Sequence, residues 1–366
     1  MKALRKELLK GLLLPLSAFI LVLIYNYLKT THLIDDFYTT GISRWMLSGI
    51  ASLTSRIPIS IGEILAGAVI LLLILNLAAL FLAIMKRKNV LVSFFRITNL
   101  LSVLLIGFLI LWGFNYRQMG IAYTSSKYIP AEIAHVNDLV PVMTDLIQEA
   151  RNERSASGLS EESPFVFLGD MNVSALEAYA ALGQDYGGFL KPEGRAKPLA
   201  ASRFFSQLGI SGIFIPFTAE ANYNDHQPDL LKPAAILHEL AHLKGVSREG
   251  EANFIAYLAS RYSEDPQLRY SATMLALIHA ENSLRIMDAA QADELFLLYS
   301  PGMVRDLIDH NEYWMQFMGR VQEQSRQVND TYLKANGQED GVATYEEMVG
   351  YLVNYFKIHN NVNLNQ

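Results

Sequence analysis

The 366-residue chain has no cysteine. That excludes a disulfide framework, a thiolate-ligated metal and a cysteine nucleophile, and it leaves the compartment open, because such a chain suits either side of a bacterial membrane. Internal repeats and low-complexity tracts are also lacking, so a solenoid or a disordered tether is not expected. Acidic residues are scarce in the first third. Residues 1–120 hold 12 Lys+Arg against 4 Asp+Glu, a net +8, which leaves 18 against 32, a net −14, for the rest of a chain whose total is −6. A basic, apolar first third joined to an acidic remainder fits a membrane anchor followed by a water-exposed domain. Nothing in it suggests a nucleic-acid partner.

Three uncharged apolar runs, Leu12–Leu28, Ile64–Met85 and Asn99–Phe114, approach the length that crosses a bilayer as helix. The first also has the form of a signal peptide, with Lys2, Arg5, Lys6 and Lys10 before an apolar stretch. No small-residue cleavage site follows, and Tyr25, Tyr27 and Lys29 suit interfacial anchors, so it reads as a retained span. The four leading cations, and Lys86, Arg87, Lys88 and Arg96 between the second and third runs, belong on the cytoplasmic side. The loop at 29–60 then lies outside, as does everything after residue 116. The expected organisation is a three-span anchor over 1–116 in the lipid bilayer of the cell membrane, with a cytoplasmic amino terminus, and an extracytoplasmic domain over 117–366. Glu63, at the entrance of the second span, is either a functional carboxylate or an acid in a helix's first turn.

Beyond residue 117 the periodicity predicts helices near 130–153, 249–264, 270–287, 290–299, 302–328 and 344–357. Pro164–Leu168 and Gly212–Phe217 read as short strands, and Asn329–Tyr345 as a structured loop with the turn dipeptides Asn336-Gly337 and Asp340-Gly341. The fold class is therefore three membrane helices plus a mostly α, α+β domain.

The run Ala235–Leu243 contains H-E-x-x-H with no Pro or Gly inside. On a helix His238 and His242, at i and i+4, share a face and can bind one metal ion, with Glu239 beside them as a general base. A third ligand is needed. Gly245 can end the helix and Ser247 can cap the next, which offers Glu249 and Glu251. Glu249 has Ala252 and Asn253 at i+3 and i+4, a small residue for close helix packing and an amide able to hold a ligating imidazole, and so is preferred.

HELAHLKGVSREGEANFIAYLA resembles the gluzincin metallopeptidases, in which an HExxH helix is followed by a helix of pattern ExxA(D/N). The resemblance implies a zincin-like domain, one zinc ion held by His238, His242 and Glu249, Glu239 as general base, and a peptide or protein substrate. Two features depart from that pattern: Asn253 stands where aspartate is usual, and the gap from His242 to Glu249 is short. The turn after His242 also echoes the metzincins, but Arg248 occupies the place of their third histidine and cannot ligate zinc. Over most of its length the chain is also similar to an uncharacterised family of bacterial three-span membrane proteins with a predicted peptidase domain. Trp112–Arg117, Gly212–Asn224, the metal motif and Asn329–Tyr345 carry that similarity, which brings no substrate.

The Gly212–Phe217 strand is expected at a sheet edge, since Pro216 is tolerated only there or at a strand end, with Glu220 and Asn222 able to reach a cleft. An ordinary strand and turn is the alternative. His279, Tyr262 and Tyr270 are candidate oxyanion donors, although a helical His279 between apolar neighbours equally suits a core. Three readings follow: a metallopeptidase acting on extracytoplasmic proteins or peptides, a non-catalytic sensor of the same fold, and an intramembrane protease. Lys232 and Lys244, close on either side of the motif, leave too short an apolar run for the last.

Overall fold

The computed structural model describes residues 2–28, 34–118, 120, 129–186 and 194–363. Helices dominate, and three of them are long and apolar enough to cross a membrane: Lys10–Tyr27 within α1 (Lys2–Tyr27), α3 (Ile61–Met85) and α4 (Val90–Leu111). Between α1 and α3 lie a π-helical stretch, Ile34–Ser43, and α2 (Arg44–Thr54). α4 packs against both α1 and α3, while apolar side chains of α3 such as Ile70, Leu71 and Phe81 are exposed, as lipid-facing residues must be. The third apolar helix begins at Val90, nine residues before the expected Asn99, and takes in Arg96. Asn89, in the left-handed conformation, caps its start, so the basic connection shrinks to Lys86–Asn89.

After α4 come a 3₁₀ turn, Gly113–Arg117, then α5 (Val136–Ala156) and α6 (Met171–Tyr186). β1 (Lys197–Pro198), α7 (Ser202–Gln207), β2 (Gly212–Ile215) and β3 (Glu220–Tyr223) follow. The remaining helices are α8 (Lys232–Leu243), α9 (Glu249–Ser260), α10 (Pro266–Met287), α11 (Ala289–Phe296), α12 (Pro301–Met315), α13 (Arg320–Ala335) and α14 (Glu347–Asn363). Leu139, Val142, Met143, Leu146, Ile147 and Ala150 recur every three or four residues on α5 and bury one stripe against α10. Asp265, Asp288 and Ser300 accept backbone N–H bonds at the starts of α10, α11 and α12, and Pro266 and Pro301 occupy first-turn positions that need no N–H donor. α8 and α9 pack on each other at the centre, backed by α6, α10 and α14. The same core takes in Leu47 and Ala51 of α2 and Trp112 and Tyr116 of the 3₁₀ turn, so it draws on both sides of residue 116.

Several sequence expectations change. Pro164–Leu168 forms no strand among the described residues; the N–H groups of Phe165, Phe167 and Leu168 donate to the side chains of Asp306, Asp229 and Gln267. A short continuous apolar run gave it a strand's pattern, and side chains supply what a neighbouring strand would have. The helix expected over 302–328 is broken at Gly319 into α12 and α13, and α13 runs on to Ala335 inside the segment read as a loop. β1, α6 and α7 carry no strong periodic signal in the sequence.

The described sheet has the order β1-β3-β2, with β1 parallel to β3, and β2 antiparallel to β3 so that Gly212 faces Tyr223 and Ile215 faces Glu220. β2 is thus an edge strand. A buried ion pair ties this sheet to the membrane helices. Lys197 Nζ donates to Glu220 and to the carbonyls of Thr54 (2.8 Å) and Ile59 (3.1 Å), while Glu220 accepts the N–H groups of Ile61 (3.2 Å) and Gly62 (2.6 Å) at the start of α3. A carboxylate there also satisfies orphan donors at the positive end of the helix. Glu220 therefore points at α3 and not into a cleft, and the Asn222 amide donates to carbonyls of its own hairpin. Glu63 sits in the first turn of α3 and accepts the N–H groups of Ala200 and Ala201, a structural role.

A second buried pair closes the helical layer. Arg154, fully buried, donates to Asp306 at 2.8 and 3.3 Å, and Asp306 also accepts from the Phe165 N–H and the Tyr270 hydroxyl. Removing the carboxylate leaves the buried guanidinium only the Ser160 and Ser163 carbonyls and the half-exposed Glu161, and Asp306→Ala is expected to cost about 3 kcal/mol, measured by chemical denaturation of the full chain in detergent micelles.

Candidate metal centre

Every residue of α8 except the half-buried Ala235 is buried. Pro233 starts the helix, the Tyr179 hydroxyl donates to the Leu237 carbonyl, and Leu243 precedes a reversal at Gly245, whose φ of +95° favours glycine. The turn Gly245–Arg248 then delivers α9, with Glu249 at its first position. Ser247 does not cap α9. Its hydroxyl instead donates to the Asn115 carbonyl (2.8 Å) in the turn that leaves α4, and the helix begins after Arg248 with no side-chain cap bond. Gln118 donates from Nε2 to the Gly245 carbonyl (3.1 Å) and to Ser247 Oγ (2.8 Å), and Arg248 donates to the Gln118 carbonyl. The exit of the last membrane helix thus fixes the turn between the two motif helices.

His238, His242 and Glu249 converge, with ligand atoms all within 4.8 Å of one another. Glu249 Oε2 lies 3.2 Å from His238 Nε2 and 3.3 Å from His242 Nε2. The edge of a tetrahedron with bonds of about 2.0–2.1 Å is about 3.3 Å, so these three donors fit a single small divalent ion. Both imidazoles use Nδ1 elsewhere, His238 on Asn253 Oδ1 (2.7 Å) and His242 on the Val246 carbonyl (2.6 Å), which leaves Nε2 of each aimed at the shared point. Asn253 Nδ2 in turn meets His279 Nε2 at 3.3 Å, so His279 ends a relay to His238 and is not placed as an independent donor. Of the two carboxylates the sequence offers, Glu249 is the one at the histidines; Glu251 is buried beside Gly120.

The charges follow from that packing. Burial opposes ionisation of Glu249, but His242 and His238 beside it win and hold its carboxyl below the usual range. Burial likewise opposes charge on His242, and Glu249 outweighs it, which raises that imidazole; His238, where burial and the His242 charge prevail, is lowered. Glu239 differs. Burial pushes it up to about 8, and its Oε2 has no hydrogen-bond partner among the described residues. Gly212 of β2 lies against it so closely that a Cβ there would stand 2.6 Å from Oε1. A partnerless carboxylate oxygen beside convergent imidazoles is a site arranged for a proton-bearing guest.

Aromatic rings wall the cluster. Trp112 meets His242 edge-on with centroids 6.0 Å apart and lies 4.7 Å from Phe214 of β2. The hydroxyls of Tyr116 and Tyr332 are 3.0 Å apart. Burial, then the neighbouring phenol and the Glu249 charge, raise Tyr116; burial and Glu249 raise Tyr332. Gln338 accepts, at 3.4 Å, the N–H of Glu249. In the sequence, the segments containing Trp112, Tyr116, Tyr332 and Gln338 stand out only as marks of similarity. Their aromatic and amide residues, set in segments flanking the motif at long range, were the available signal. Tyr262 and Tyr270 are committed elsewhere, donating to Asp185 and Asp306.

The arrangement defines a mostly helical protein with three candidate membrane-spanning helices, a small sheet and a buried His-His-Glu cluster. The chain belongs to the family described as Protein of unknown function (DUF3810), whose model matches residues 38–353 and so covers every residue of the cluster. No curated protein and no solved structure matches it.

Two outcomes are expected of divalent-metal titrations of the full chain against a chromophoric chelator. Asn253→Ala frees the His238 ring and weakens affinity about 10–100-fold, whereas Asn253→Asp retains it. His242 must shed a proton whose pKa is raised, so affinity climbs with pH through neutrality, by up to about tenfold per unit.

Proposed function

We propose that the protein is a membrane-anchored zinc metallopeptidase that hydrolyses peptide bonds in proteins or peptides outside the cytoplasm. The observation that carries this reading is the partnerless, neutral-leaning carboxyl of Glu239 beside the three convergent donors. Two imidazoles and one carboxylate suit zinc, and a set of three leaves a coordination position for chemistry. His238, His242 and Glu249 would hold the ion, which when bound polarises a carbonyl and lowers the pKa of water.

The chain's own residues supply the rest. Glu239, poised near neutral pH, takes a proton from the attacking water and returns it to the departing amine. The β2 edge, running past Glu239 at Gly212, accepts an extended peptide by strand addition. Tyr116 and Tyr332, protonated through neutral pH and close enough to Glu249 to feel its charge, are candidate hydroxyl donors. The cations before the first span and in the connection between the second and third favour the cytoplasmic side for those ends, and this supports a cluster on the opposite side of the membrane.

Elemental analysis of the full chain in detergent is the test, with peptide hydrolysis measured in parallel. Wild type should hold about one zinc per chain; His238→Ala and Glu249→Ala should lose it and Glu251→Ala keep it. Glu239→Gln should keep the metal and lose at least about 10²-fold in turnover. A folded wild type without metal overturns the proposal, and metal retention with no turnover in wild type points to a binding protein.

A further inference from the structure

The height of the cluster above the bilayer follows from its contacts. α4 has 22 residues, a length of about 33 Å at 1.5 Å per residue, and so ends where about 30 Å of hydrocarbon ends. Trp112 is the next residue, and its ring meets His242 with centroids 6.0 Å apart. Tyr332 meets Phe108, inside α4, at 6.0 Å. The head-group layer is only about 5–7 Å thick on each side. The three ligands therefore lie at head-group level, not in the water above it.

β2 descends in the same direction. Gly212 lies against Glu239, Phe214 against Trp112 and His242, and Ile215 over Gly62, the second residue of α3; beyond the strand, Phe217 lies over Gly107, one turn inside α4. A peptide added along the β2 edge must follow this line, with one end at the hydrocarbon boundary and its reactive bond beside Glu239. The three-residue step from Ile215 to Gly212 spans about 10 Å at 3.3 Å per residue. A compact soluble domain, with a radius of gyration of about 13 Å for 100 residues, cannot bring a surface loop so low without meeting lipid.

We infer that the substrate of this site is a polypeptide anchored in the same membrane, cut in the extended stretch immediately outside its anchor. The inference rests on the peptidase reading and narrows it. Anchoring both partners in one bilayer also raises their effective concentration without adding a contact.

The test uses the full chain in phosphatidylethanolamine–phosphatidylglycerol vesicles. The probe is a pool of randomised segments of about ten residues fused directly outside a single-span helix, short enough at about 3.3 Å per residue to stay near the surface. The same pool is presented behind a flexible Gly/Ser spacer of roughly 30 residues, and free in solution, with products read by mass spectrometry. The expected result is cleavage within about the first eight residues outside the helix, at least about tenfold faster than for the spaced or free pools, and absent in Glu239→Gln. Equal rates on all three pools overturn the inference and leave the peptidase standing. Cleavage of none by the metal-loaded chain overturns both.

Discussion

The hydrogen bonds between Asn115–Gln118 and Gly245–Arg248 are the constraint on which the site depends. Two helices that each carry side chains of the His-His-Glu cluster must be held at a fixed spacing, and only a short turn joins them. That turn has few apolar side chains to bury, so its position is set by polar contacts: Gln118 to the Gly245 carbonyl and Ser247, and Ser247 to the Asn115 carbonyl. Within this frame Glu249 Oε2 reaches both imidazoles. Buried polar groups of this kind are costly when half-satisfied and rigid when paired, and the pairing here starts from the residues that leave the membrane.

Charge placement separates structural from chemical groups. Lys197 with Glu220, and Arg154 with Asp306, are buried ions whose partners are complete, and they lock elements together. Glu239 is equally buried but incomplete, with one oxygen lacking a partner among the described residues. An uncompensated carboxyl in a core lowers stability unless it is neutral or met by a guest. The fold tolerates it at the edge of the sheet, where β2 contributes a glycine and leaves room for the side chain. Such local frustration amid otherwise satisfied groups is the pattern expected where stability has yielded to function.

Local chemistry was legible in the sequence, and long-range chemistry was not. His238 and His242 share a face because helix geometry dictates it, and Gly245 marks the reversal because few other residues take its backbone angle. The three apolar helices follow from length and composition, although Arg96 proved to be helical. Glu249 and Glu251 stayed open because two first-turn positions differ only in rotation about α9. Tyr332 and Gln338 lie more than 80 residues from the motif and reach it through the path of α13, which no local pattern encodes. Ser247, Glu220 and Pro164–Leu168 misled for one reason. Each has the local form of a standard device, a cap, a cleft acid or a strand, while its actual partner comes from a distant part of the chain.

The Lys197–Glu220 pair has a consequence for how the protein can exist. Four of the ties this pair makes, to the carbonyls of Thr54 and Ile59 and to the Ile61 and Gly62 N–H groups opening α3, reach the segment that carries the candidate spans. Cut free from residues 1–112, the remainder would carry a buried ammonium stripped of two acceptors, a carboxylate stripped of its helix end, and a core missing Leu47, Ala51 and Trp112. A fragment that starts beyond residue 112 is accordingly a poor stand-in for the protein, because its buried charges and its core are completed only by the segment that carries the candidate membrane spans.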